Sequence, residues 1–520
     1  MGQTEDDTQG WESPEQPGAQ ASRRWRSLWR THFYAGMLSM PLLVLFALTG
    51  LFILYTQPIQ DLFQDDWRTV PSSSRSVSLD DQRAEVEDAY DGFEIASVTP
   101  PRDGEHSTVF SGTAADGSFR DVFVDPHSGE VLGSSKPGDD IVGLANRLHG
   151  FLNNETVTVK LPMLAGLLHD GEPILAEVPV TEIALEIAAV WGLTMALTGV
   201  YLWWPRKRGT GKALIKPRLG KPGRARWRDL HAVGGVLLAG LIVFFVMSGM
   251  PWSSYWGSNW ATVATEVTPN EKPSFWEWEG PTSAVPTVGD LDRVGNRIPW
   301  ATNQEEVPAS DPSSPHHGTG SGEEAAGGGD GPPTKLASLD LIATAATDEG
   351  MKPGFTINMP ADVLEDPDEP RYGAFAVFNP WPGRMSNQGA LYLDQFSGRT
   401  IAHSTAATWG ALQWTTELGV QTHMGTQFGV VSRILMTAGC LLILWMATTA
   451  IVMWWKRRPS GKAGLPRRPN DVRTPKSVLV VAVVLGLLYP LWGISALLIL
   501  LADRYVIRSV PPLRRAFGMR

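Results

Sequence analysis

Long apolar runs alternate with long polar stretches along the 520 residues of this chain. Five runs, near 33–56, 183–204, 232–251, 428–455 and 477–502, hold the roughly 20 residues a helix needs to cross a hydrocarbon core. The polar stretches between them are of two kinds. Short ones are basic: "PRKRGTGKALIKPRLGKPGRARWRD" joins the second and third runs, and "KRRPSGKAGLPRRPNDVRTPK" joins the fourth and fifth. The two long ones, 57–182 and 252–427, carry alternating strands and turn residues. The pattern predicts an integral membrane α-helical protein with about five transmembrane helices and two extracytoplasmic α+β domains.

Bases orient the helices, because Lys and Arg collect on the cytoplasmic side. Arg23, Arg24, Arg26 and Arg30 precede the first helix (23–56), so the N-terminus is expected in the cytoplasm with the basic loops 205–231 and 456–476. The segments 57–182 and 252–427 then lie outside, in a multi-pass protein of the cytoplasmic membrane. The fifth run is expected to cross once. That places Arg504, Arg508, Arg514, Arg515 and Arg520, in the tail 503–520, on the wrong side. A hairpin at Tyr489-Pro490 would keep them inside, but each arm would be too short to span. Residues 1–22 read as a disordered acidic tail and 310–334 as a flexible insertion. The first run is too long and too far from the N-terminus for a cleavable signal peptide.

Composition narrows the chemistry. The net charge of −10 gathers its acids in the tail and the long segments, and nothing points to nucleic acid. The single cysteine, Cys440, excludes internal disulfides, covalent CxxCH haem and thiolate clusters held by this chain alone. There is no GxGxxG, GxxxxGK[ST] or HExxH, so no nucleotide, flavin or zinc-hydrolase site is expected. Many of the 21 tryptophans flank the apolar runs as interfacial anchors do.

The chain also repeats itself. "LWRTHFYAGMLSMPLLVLFALTG" (28–50) and "WRDLHAVGGVLLAGLIVFFVMSG" (227–249) share a histidine, His32 or His231, and a glycine four residues on, Gly36 or Gly235. Both end in a hydroxyl residue and a glycine, Thr49-Gly50 or Ser248-Gly249. "VFVDPHSGEVLG" (122–133) matches "LYLDQFSGRTIA" (391–402), each a hairpin signal. "TGVYLWWPRKRGTGKA" matches "TAIVMWWKRRPSGKA" at the ends of the second and fourth runs. The reading is an internal duplication of helix, outer domain and helix, with a fifth helix appended.

These motifs resemble a known family. The [VL]-[FY]-[VL]-D-x-x-S-G hairpins resemble PepSY domains, and the H-x3-G…[TS]-G and WW-[PK]-[RK]-[KR] helices resemble PepSY-associated transmembrane proteins. The likeness runs from about residue 25 to 500, apart from the insertion. Some members are haem-containing ferric-siderophore reductases of the bacterial inner membrane. The resemblance therefore implies haem b, iron acquisition, and a ferric siderophore met on the outer face.

Haem b needs two neutral imidazoles on neighbouring helices in an apolar setting. His32 and His231 stand at matching depth near the inner ends of their helices and form the first expected pair. His423, just before the fourth run, belongs to the second. Its partner is His149, favoured by the L-H-G context of the family, or His169, favoured by counting back from Trp203; His149 is taken first. Gly36, Gly235, Gly425 and Gly429 are expected to let a macrocycle approach the backbone. Two haems would lie on the order of 25 Å apart, one helix length. They would carry electrons from a cytoplasmic flavoprotein or membrane quinol to a ferric chelate outside. No catalytic side chain is singled out. The alternative is a non-enzymatic PepSY membrane protein that regulates or inhibits an envelope protease or acts as a sensor. Iron or haem transport is weaker, since the runs carry almost no ionisable residues at mid-depth.

Overall fold

The computed structural model describes residues 17–63, 65–154, 156–204, 223–271, 282–287, 298–303, 305–310, 336–362, 371–458 and 475–516. Residues 1–16 of the acidic tail, most of the 310–334 insertion, and the centres of both basic loops lie outside the described residues, while 17–22, expected as disordered tail, begin the first helix instead.

The chain begins with α1 (Pro17–Leu54), α2 (Thr56–Phe63) and α3 (Leu79–Ala89). Strands β1 (Glu94–Thr99), β2 (Thr108–Thr113), β3 (Phe119–Val124) and β4 (Val131–Ser135) follow, then α4 (Ile141–Gly150). The hairpin β5 (Thr158–Pro162) and β6 (Leu175–Pro179) leads into α5 (Val180–Trp203), α6 (Arg224–Gly249) and α7 (Trp256–Val267). Beyond a short pair, β7 (Thr282–Thr287) and β8 (Glu306–Pro308), comes α8 (Leu339–Asp348). Strands β9 (Thr356–Asn358), β10 (Ala374–Phe378), β11 (Gly389–Asp394) and β12 (Thr400–Thr405) precede α9 (Ala411–His423) and α10 (Val430–Arg457). The chain closes with α11 (Lys476–Leu488) and α12 (Pro490–Ala502). Five segments are long and apolar enough to cross a membrane: Arg23–Leu54, Val180–Trp203, Arg224–Trp252, Val430–Arg457 and Pro490–Ile507.

Two compact units emerge. One comprises the chain up to Val44, Ile183–Val246, and Leu442 onward; the other comprises Leu45–Glu182 and Met247–Leu441.

In the first unit the fifth apolar run departs from expectation. A single helix over 477–502 is replaced by two helices broken at Tyr489, whose φ of −130° and ψ of 79° leave the helical region. Pro490 explains the break: it lacks an N–H and disfavours helical backbone in the residue before it. The arms fold back until Gly486 and Gly493 meet backbone to backbone; a Cβ on Gly493 would stand 3.0 Å from the Gly486 Cα. The hairpin is anchored to α5 by the Trp191 indole, which donates to Ser495 Oγ (3.1 Å) and packs 5.6 Å from the Trp492 ring.

The second unit holds one eight-stranded antiparallel sheet in the order β12-β11-β10-β9-β1-β2-β3-β4. The two outer segments, expected as separate domains 57–182 and 252–427, thus share a sheet. The join is β1 with β9, where Val98 lies opposite Ile357. Each half supplies one helix to the same face, and the two helix starts are tied across the join. Asp80 carboxylate oxygens accept from the Leu339 and Asp340 N–H groups, while those of Asp340 accept from Leu79 and Asp80. Val86, Phe110, Val122, Ile342, Phe375 and Leu391 fill the core beneath these helices. Along β10, Phe375 and Val377 enter that core while Ala376 and Phe378 enter a second one on the opposite face. That is the period-two alternation of a strand covered on both sides.

The D-x-x-S-G strings turn as expected. The Asp125 carboxylate accepts from the His127 N–H and the Ser128 hydroxyl, and that of Asp394 accepts from the N–H groups of Phe396 and Ser397. Gly129 (φ 81°) and Gly398 (φ 67°) close these turns in the left-handed region, where a side chain would be strained.

Candidate functional site: two buried histidine pairs

His32 on α1 and His231 on α6 meet in the first unit, with ring centroids 6.4 Å apart and planes at 84°. The His32 Nδ1–H donates to the Met195 carbonyl (2.9 Å) and lies 3.2 Å from Thr198 Oγ1. Thr198 in turn donates its own proton to the Thr194 carbonyl at 2.8 Å. His231 Nδ1 is 2.9 Å from Thr449 Oγ1, whose proton goes to the Met446 carbonyl. A hydroxyl already committed to a carbonyl can only accept from the imidazole. Both rings are therefore held as Nδ1–H tautomers, with Nε2 left as a lone-pair donor.

The second unit repeats the device. His149 on α4 sits 2.9 Å from Thr49 Oγ1, and Thr49 donates to the Leu45 carbonyl at 2.8 Å. His423, the last residue of α9, sits 2.9 Å from Ser248 Oγ. The rings lie over bare backbone: Cβ atoms on Gly50 and Gly249 would stand 3.6 and 3.4 Å from the Cε1 atoms of His149 and His423. Burial pushes His149 down to about 4. Burial and then the neighbouring His149 push His423 down to about 3. Both are neutral at physiological pH, and they are close enough to oppose each other's protonation.

The geometry suits a metal ion held between two imidazoles. Metal–nitrogen bonds of about 2 Å on opposite sides put the donor nitrogens about 4 Å apart and the centroids about 6 Å apart. The His32–His231 centroid separation of 6.4 Å is of that size.

The structure brings His149, and not His169, to the neighbourhood of His423. His169 lies in the β5–β6 hairpin, exposed, with Nε2 3.2 Å from a carboxylate oxygen of Glu266. That hairpin lengthens the path from α4 to α5, so counting back from Trp203 leads to His169, which is not the histidine beside His423. The glycines also play other parts than expected. A Cβ on Gly36 would stand 3.2 Å from the Met195 sulfur and one on Gly235 3.1 Å from the Met446 methyl, so these two clear thioethers. Gly425 (φ 75°) and Gly429 (φ 59°) shape the turn between α9 and α10.

Sequence reasoning left the hydroxyl residues without a role, although all four were in view. Thr49-Gly50 and Ser248-Gly249 closed the first repeated motif, and Thr198-Gly199 and Thr449-Ala450 opened the "TGVYLWW" and "TAIVMWW" strings. Each long helix thus carries a hydroxyl residue and a small one in its C-terminal part, and each such pair receives one histidine. Cys440 was also passed over; its sulfur lies beside Gly50, 3.6 Å from where a Cβ would stand.

A family model, described as the PepSY-associated TM region, matches residues 29–457. No curated protein matches the chain.

Proposed function

The chain belongs to the PepSY-associated transmembrane family, and from that premise we propose that it is a haem-b transmembrane oxidoreductase. It takes electrons from a cytoplasmic flavoprotein or membrane quinol and delivers them to an extracytoplasmic ferric chelate of the siderophore type. The observation that carries this reading is the shared device: four histidines in two pairs, each with Nδ1 turned to a hydroxyl or carbonyl. Interfacial histidines that merely solvate headgroups have no need of that arrangement.

A b-type haem between each pair would supply a one-electron carrier. The residues' own contribution is to present neutral donors. Thr49, Thr198, Ser248 and Thr449 fix each ring's tautomer and orientation, and burial keeps His149 and His423 unprotonated. Each ferric ion reduced consumes one electron from the donor. Iron(III) held by hard oxygen ligands then becomes labile Fe(II). The two halves of the sheet are read as PepSY-like domains of an internal duplication, forming the substrate platform outside the cytoplasmic membrane. The protease-regulator or sensor reading leaves the four hydroxyl–imidazole contacts without a purpose.

Absorption spectra of the full chain in detergent, oxidised and then dithionite-reduced with haem quantified per chain, test the proposal. About two b haems per chain with a sharp reduced α-band are expected. A colourless protein from haem-replete cells refutes it.

A further inference from the structure

Arg433 is a cation without a partner acid among the described residues, at the end of a candidate membrane span. It lies in the first turn of α10, inside a candidate membrane span, and is half-buried. Its guanidinium has no ion pair or hydrogen bond among the described residues, only the Tyr55 ring 5.9 Å from its carbon. A second arginine reaches the turn that precedes it. Arg384 Nη2 reaches to 3.6 Å from where a Cβ of Gly429 would stand, and Gly429 is the residue whose carbonyl accepts from the Arg433 N–H. Arg384 too has no carboxylate partner among the described residues. Two arginines border one turn, neither with a carboxylate partner among the described residues, and such a turn suits an anion.

The position identifies which anion. That turn, Gly425–Gly429, begins two residues beyond His423, and a Cβ on Gly425 would stand 3.3 Å from the Arg433 Cα. On α10, Thr437 and Cys440 follow Arg433 by four and seven residues, so all three share one helix face. Cys440 lies against Gly50 at the level of the His149 ring, and Thr437 is hydrogen-bonded to Tyr55 (3.2 Å), one turn beyond Gly50 on the chain leaving α1. Arg433 is thus roughly 10 Å along the helix from the level of the histidine pair. A haem's propionates extend about that far from its iron.

We propose that Arg433, with Arg384 beside it, is the clamp for the propionate carboxylates of the haem held by His149 and His423. The inference rests on the haem reading above. It gives that haem an orientation, with its carboxylates toward the α9–α10 turn. It also gives the unpaired arginine a partner in the charge-assisted, bidentate geometry that guanidinium groups favour.

The experiment compares wild-type full-length protein with Arg433→Gln, Arg433→Lys and Arg384→Gln. It measures haem per chain, the rate of haem transfer to apomyoglobin, and the midpoint potential of each haem. Arg433→Gln is expected to release one of the two haems about tenfold faster or more, and to lower that haem's potential. Arg433→Lys should recover most of both effects. Arg384 is exposed, so Arg384→Gln keeps the fold and provides the same comparison should Arg433→Gln not be recoverable. Two haems with unchanged release and potential in the glutamine variants overturn the clamp alone and leave the arginines to a lipid phosphate or an anionic substrate. Equal acceleration for both haems also overturns it. A wild-type protein without haem overturns the clamp and the haem reading together.

Discussion

The hydroxyl of Thr49 stands 2.9 Å from Nδ1 of His149, while its own proton is given to the Leu45 carbonyl. The two residues are 100 positions apart in sequence. The contact places the imidazole proton of His149 on Nδ1, and hydroxyl groups stand against Nδ1 of His32, His231 and His423 as well.

Removing such a hydroxyl weakens the ligand without deleting it. Thr49→Val and Ser248→Ala are each expected to cost about 10- to 100-fold in haem affinity at the His149/His423 site, and to raise that haem's midpoint potential as the imidazole loses basicity. Thr49→Ser should behave as wild type. Redox titration of the three variants checks this; wild-type potentials in Thr49→Val would deny the hydroxyl a role.

Ligand deletions should sort into two sets. His32→Ala and His231→Ala are expected to lose one and the same haem, His149→Ala and His423→Ala the other, and His169→Ala neither. Pyridine haemochrome quantification with spectra of each variant decides the grouping. Loss of haem in His169→Ala would speak against the assignment of His149.

Two buried carboxyls give the second unit a pH signature. Burial lifts Glu305 to about 7 despite hydrogen bonds from Asn270 and Ser404, and burial raises Glu417 as well. A carboxyl whose folded value exceeds its unfolded one stays protonated in the native state, where the unfolded chain would release the proton. Its stabilising contribution is complete below about 4.5 and is lost as pH rises toward about 7. Melting temperatures between pH 5 and 8 should therefore fall less in Glu305→Gln than in wild type. A parallel decline in both would exclude Glu305 as the source.

The hairpin at Tyr489 carries a topological consequence. The first arm, α11, has 13 residues and is about 20 Å long, short of the roughly 30 Å core, while the second continues to Ile507 as an 18-residue candidate span. A chain that doubles back returns its basic end to the side it came from, in keeping with Arg504 and Arg508 following the positive-inside rule. A cysteine at exposed Ser509, in a Cys440→Ala background, should react with a membrane-impermeant maleimide only after cells are permeabilised. Labelling of intact cells would mean that the run crosses once.

Gly493 should be intolerant of bulk. A Cβ there would meet the Gly486 backbone at 3.0 Å, and backbone cannot step aside as a flexible side chain can. Gly493→Val is expected to part the two arms and expose the otherwise buried Trp492, read as a red shift in tryptophan emission against wild type. An unshifted spectrum would argue that the arms do not touch.

Much of this protein is written locally. Runs of apolar residues are recognisable without knowing their neighbours, because a bilayer selects for length and hydropathy alone. The D-x-x-S-G strings turn as expected because Asp, Ser and Gly act on backbone within a few positions. The histidines stood out because they recur at one spacing. What depended on packing was different in kind. Whether two four-stranded halves stay apart or join through Val98 and Ile357 is decided by which strand edges meet. Whether 477–502 runs straight or folds at Pro490 is decided by a docking surface on α5, where Trp191 receives Trp492 and Ser495. The choice between His149 and His169 turned on a hairpin that lengthens the chain without moving the helix ends. The hydroxyls of Thr49 and Ser248 acquire meaning only when imidazoles 100 and 175 residues away arrive beside them. Periodicity and turn chemistry act over a few residues and can be read along the chain, but a hydrogen bond between distant side chains exists only once the helices that carry them have packed.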